Sequence, residues 1–122
     1  MHKKMTIWGR DFDIKIIYDA FTGEEILDEQ KMAFEAFIAE SEKLLSDPGD
    51  VAQFCIKQNR KEIGETVTNI FKYVIPTSLL VKRDKKKRVV ALLCDYRFDE
   101  EHGLALIFEN ERFVRIAPQD DV

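Results

Sequence analysis

Val89-Val90-Ala91-Leu92-Leu93-Cys94 is six apolar residues in a row with no polar face. Successive side chains of a strand point to opposite faces, so this run presents apolar groups on both. It belongs at the centre of a sheet, covered from both sides. Its flanks are the most polar stretches of the chain. Before it stands Lys82-Arg83-Asp84-Lys85-Lys86-Lys87-Arg88, with six cations in seven positions. After it comes Asp95-Tyr96-Arg97-Phe98-Asp99-Glu100-Glu101-His102-Gly103, and the apolar pattern then resumes at Leu104.

Neighbouring segments read as strands separated by the same kind of polar turn. Ser78 to Lys82, Arg88 to Tyr96, Leu104 to Phe108 and Arg112 to Ile116 predict a four-stranded antiparallel meander. At the other end, Phe12, Ile14, Ile16 and Tyr18 alternate with Asp11, Asp13 and Lys15. With Met5 to Trp8 and a Gly9-Arg10 turn, this predicts an N-terminal β-hairpin. Between the two lies helical periodicity. Asp28 is the expected N-cap of a helix running to Ser46, with Phe34, Phe37, Ile38, Ser41, Leu44 and Leu45 as its stripe. Asp50 and Gln53 suggest a capping box for a second helix, its inner face traced by Val51, Phe54, Cys55 and Gln58. A third stripe, Ile63, Val67, Ile70, Phe71 and Val74, is expected to stop at Ile75, before Pro76. The β-branched Thr66, Val67 and Thr68 count against that helix. The expected architecture is a single α+β domain over residues 1–122, with two to three helices on one face of the sheet.

Hydrophobic residues make up 45% of the chain, nine of them Phe, enough for a core without staples. A net charge of -4 gives no general attraction to nucleic acid. No aromatic interleaves with the lysines of the basic run, as a single-strand binder would require, so that run is expected to be a solvated turn. No apolar stretch reaches the ~20 residues of a membrane span, and Met1 to Trp8 lacks a signal peptide's apolar segment. Cys55 and Cys94 are expected to be reduced and buried, and the protein cytoplasmic.

The acidic turn is the candidate site. Asp95, Asp99, Glu101, His102 and Gly103 bring three carboxylates, an imidazole and a flexible backbone position into nine residues. Oxygen ligands with one imidazole suit a divalent cation. The spacing fits no calcium loop, zinc motif or hydrolase signature. The alternative is a scaffold, in which Asp99 accepts backbone N–H bonds, His102 or Arg97 is its charge partner, and Gly103 takes positive φ. Cys94 and His102 form a conceivable nucleophile–base pair, but strand alternation turns Cys94 into the core. Trp8, Phe12 and Phe21 are candidate interface aromatics. No glycine loop for phosphate is present, and no cofactor is implied.

The segments Pro76-Thr77-Ser78, Asp95 to Gly103 and Ala117-Pro118-Gln119-Asp120 together resemble a bacterial family of small proteins known only as a domain of unknown function. The resemblance covers roughly residues 70–121, with the Asp-x-x-aromatic-Asp-x-Glu-His-Gly turn as its marker. It implies a protein similar to small α+β immunity or accessory proteins found beside bacterial toxins. The expectation is a cytoplasmic, non-enzymatic protein that binds a protein partner, and neither nucleic acid nor membrane. The competing expectation is a metal-dependent enzyme or metal-binding protein built on the Asp95–Gly103 turn. Oligomeric state is not legible in the sequence.

Overall fold

The computed structural model describes all residues 1–122. Strands β1 (His2–Ile7) and β2 (Arg10–Tyr18) form the first hairpin. Three helices follow: α1 (Asp28–Leu44), α2 (Gly49–Gln58) and the single-turn α3 (Arg60–Ile63). A 3-10 turn at Ile70–Lys72 leads to β3 (Val74–Val81), β4 (Val89–Tyr96), β5 (Leu104–Glu109) and β6 (Arg112–Ala117), and Gln119–Asp121 form a last 3-10 turn.

The strands make one six-stranded sheet whose spatial order follows the chain, β1-β2-β3-β4-β5-β6. All neighbours are antiparallel except β2 and β3, which run parallel from Lys15↔Ser78 to Tyr18↔Val81. This corrects the expected hairpin plus separate four-stranded meander. The alternation of β2 marks a strand but does not say which partner its second edge takes.

The predicted third helix is also overturned. Gly64 leaves α3 at φ +90, and the β-branched stretch that follows is not helical. Val74, Ile75 and Pro76 belong to β3 instead, and the register shifts between Pro76 and Ser78. A proline cannot donate to the ladder, so an irregularity is where a paired strand can hold one. The caps move too. Leu27, not Asp28, is the N-cap of α1, and Pro48 stands in that position for α2, where Asp47 Oδ1 accepts the Gly49 N–H at 2.8 Å. The first turn is Trp8-Gly9 rather than Gly9-Arg10, with φ of 52 and 83. Two successive positive φ values match the right-handed twist of a hairpin.

A cluster of 21 buried residues lies between the sheet and the helices, with Phe37 (1% exposed) of α1 edge-to-face against Phe108 at 5.1 Å. Val51, Cys55 and Ile56 are the buried residues of α2, whereas Gln58 is exposed. The opposite face of the sheet closes over a separate group, Ala91, Ala105, Ile107 and Ala117, flanked by Leu80, Val89, Leu93 and Val122. No helix contributes to it. The central run is covered on one side by helices and on the other by alanines and the aliphatic side chains beside them.

One buried side chain is polar. Gln30, 1% exposed in the first turn of α1, accepts the Leu27 N–H at 3.0 Å. Its Nε2 donates to Asp19 O (2.8 Å) and Val81 O (3.2 Å), just beyond β2 and at the end of β3. This glutamine joins the helix start to the parallel strand pair.

Candidate functional site

The acidic turn is a closed hydrogen-bonded loop between β4 and β5. The Asp99 N–H donates to Tyr96 O at 3.2 Å, and the Gly103 N–H donates to Asp99 O at 2.9 Å. Asp99 Oδ1 accepts the His102 N–H at 3.2 Å and lies 3.0 Å from His102 Nδ1. Gly103 has φ +60. The turn is anchored by the Arg97 N–H, which donates to Tyr73 O at 2.8 Å, and by Phe98, stacked on Tyr73 at 5.7 Å.

Asp99, His102 and Gly103 are therefore brought together, and Asp95 and Glu101 are not part of the same contact set. Asp95 is exposed beside Lys72 and Arg97 in another shallow pocket, and Glu101 makes no ion pair. Arg97 pairs with no carboxylate, so His102 is the charge partner of Asp99. Nowhere do three or more His, Cys, Asp or Glu side chains converge closely enough to hold a metal ion.

The hydrogen bond and charge of Asp99 raise the His102 imidazole above its ordinary value of 6.5, with Asp120 and Glu101 adding to the effect. A base whose folded pKa is raised stabilises the fold below its unfolded pKa. That contribution disappears as pH rises through the folded value. His102 in the native protein is expected to titrate above 6.5 by NMR, and in Asp99→Asn to return toward it. An unchanged titration would show that the pair does not form in solution. With the Asp99 side chain 41% exposed, water can replace it, and Asp99→Ala is expected to cost about 0.5 to 1 kcal/mol.

The tail completes the turn. Gln119 donates its backbone N–H to His102 O at 3.1 Å and its Nε2 to Cys94 O at 2.9 Å, lying across Gly103. The sequence marks the Ala117–Asp120 segment and the turn as parts of one resemblance but gives this glutamine no role. Their pairing was not visible without the fold.

Cys94 is fully buried, and burial with the Asp95 charge pushes its thiol well above the ordinary range. Burial raises Cys55 as well. Neither is a nucleophile in this state. Both are expected to resist a thiol reagent in the native protein and to react promptly after denaturation. Fast native labelling of Cys94 would show that β4 opens. The nearby Tyr96 hydroxyl donates to Asn59 Oδ1 at 2.6 Å, which ties β4 to the end of α2.

The basic run is largely neutralised by the fold. Lys82 pairs with Asp19 (3.2 Å), Arg83 with Glu24 (3.3 Å), Arg88 with Glu111 (2.8 Å), and Lys87 with Glu109. Asp84 accepts the Lys86 and Lys87 N–H groups, which holds its carboxyl below the usual range. Only Lys85 and Lys86 of the six cations lack an ion pair.

Of the candidate aromatics, Trp8 is buried against Phe71, and Phe12 packs on the same ring, with the Arg10 guanidinium 4.2 Å above it. Phe21 stands free, 80% exposed. An adjacent exposed apolar pair that the sequence did not single out is Phe113 (38%) and Val114 (46%) on β6. Phe113 lines a groove of about 580 Å³ between α2 and β6, together with Phe54 and Ile116. The only signal in the sequence was Arg112-Phe113-Val114-Arg115, a strand with aromatic and cationic residues but no clean polar face.

A family model described as a domain of unknown function (DUF6985) matches residues 1–122. No curated protein and no solved structure matches the chain.

Proposed function

From the premise that the chain belongs, over its whole length, to the DUF6985 family, we propose that it is a non-enzymatic protein-binding domain, acting in the bacterial cytoplasm in an immunity or accessory role. The observation that carries the reading is the adjacent exposure of Phe113 and Val114 on an edge strand, beside an open groove. Apolar anchors at the rim of a groove are what a protein partner buries. The chemistry of the remaining groups agrees. Both thiols are buried, and the acidic turn spends Asp99 and His102 on each other and on the loop backbone.

Photoreactive phenylalanine analogues at positions 113 and 21, with exposed position 43 as control, test the reading in cells. A discrete protein adduct at 113 or 21 and none at 43 is the expected result. Adducts nowhere, or equally at all three, would sink it. The metal-dependent alternative rests on the Asp99–His102 pair. It requires a rise in melting temperature with divalent ions that a chelator reverses and Asp99→Ala abolishes.

A further inference from the structure

We propose that the groove between α2 and β6 takes an extended acidic segment of a partner protein, laid along β6. This rests on the protein-binding reading and adds the place and the chemistry of the partner. Three cations line the groove, Lys57 from the last turn of α2, Arg60 from the start of α3 and Arg115 from β6, against a single carboxylate, Asp50. None of the three cations makes an ion pair within the chain, unlike four of the six in the basic run. An acidic chain thus carries, at one place, a cationic groove that its own carboxylates leave unanswered. The complementary ligand is acidic.

Its shape follows from the strand. β6 is last in the sheet, so one side of its backbone has no neighbour. The other sheet edge, β1, carries the exposed Lys3 and Lys4, charges of the kind that guard an edge strand. An extended segment on β6 gains main-chain hydrogen bonds, while alternate side chains reach the groove. Carboxylates at those positions meet Arg60 and Arg115, and apolar residues meet Phe113 and Phe54. Val114 is the extra residue where the β5–β6 register shifts, and it stands exposed on the same strand. A nucleic acid would also meet cations here. It would have to approach a chain with a net charge of -4, and it gains nothing from a free strand edge.

The probe is a synthetic peptide of about ten residues whose alternate, groove-facing positions carry Glu, Phe and Val in turn with Thr at the positions between, its Lys-for-Glu counterpart, and a single-stranded oligonucleotide. The acidic peptide is expected to bind with an affinity in the tens of micromolar, weakening with salt. It should slow amide exchange along β6, and it should weaken at least about tenfold in Arg60→Glu/Arg115→Glu. Both positions are exposed, so this variant is expected to keep the parent melting temperature, which checks that it folds. Failure of the acidic peptide to bind would overturn the inference. So would equal binding of the Lys peptide, indifference to the double variant, or preference for the oligonucleotide. If the peptide fails while the adduct at position 113 persists, the protein-binding reading stands and only the acidic partner falls.

Discussion

Gly103→Ala is expected to lower stability by about 2 to 4 kcal/mol, read from chemical denaturation. Two costs combine. The φ of +60 is one an alanine adopts at about 1 kcal/mol of strain. The methyl group would also sit 2.6 Å from Cys94 O and 2.5 Å from Gln119 Nε2. The amide of Gln119 can swing aside, but it then gives up its bond to Cys94 O. The Cys94 carbonyl cannot move far, because it belongs to β4, where Cys94 pairs with Pro76 on one side and Leu104 on the other. The double variant Gly103→Ala/Gln119→Ala separates the two contacts, since relief by the second change would assign the strain to the glutamine. A loss below about 0.5 kcal/mol would mean that the turn relaxes at little cost.

Gln30→Leu is expected to cost a similar amount, about 2 to 3 kcal/mol, although it keeps the side chain's volume. A leucine leaves the part-buried Leu27 N–H and Asp19 O without the partner that Gln30, itself 1% exposed, supplies. Buried backbone groups without partners cost about 1 to 3 kcal/mol. Val81 O keeps a second donor, the Asp19 N–H at 2.9 Å, so its loss is smaller. Amide exchange should locate the damage at the ends of β2 and β3. A variant as stable as the parent would show that water enters and replaces the amide.

What the sequence disclosed follows from how local each signal is. The Val89–Cys94 run and its polar flanks placed β4, β5 and β6 within a residue or two, because alternation and turn chemistry act over a few positions. The stripe of α1 likewise picked out Phe37 and Leu45, the most deeply buried of its members. The segment from Gly64 to Ile75 misled, since its apolar residues at helical spacing are divided among a loop (Val67), a 3-10 turn (Ile70, Phe71) and the start of β3 (Val74, Ile75). The parallel pairing of β2 with β3 was illegible, because no local pattern records a neighbour so distant in the chain. In the candidate site, the roles of Asp99 and Gly103 could be read from turn chemistry. The covering Gln119 and the groove of Lys57, Arg60 and Arg115 could not, because each joins elements far apart in sequence.

The parallel pairing of β2 with β3 has a consequence for synthesis. When the first hairpin leaves the ribosome, the strand that will cover its inner edge has not yet been made, and Lys15 must wait for Ser78. Helices α1 and α2 can form meanwhile, but the sheet they pack on is two-thirds absent, since four of its six strands follow Gly64. A nascent chain stalled before Val74 is therefore a hairpin with a naked edge, a ready substrate for holding chaperones. Cutting the gene within residues 64–69 would produce two pieces, β1 to α3 and β3 to β6, each incomplete at the same seam. Made together in one cell, they have a defined edge along which to find each other, so a split version of this protein would report on the encounter of whatever is fused to its halves.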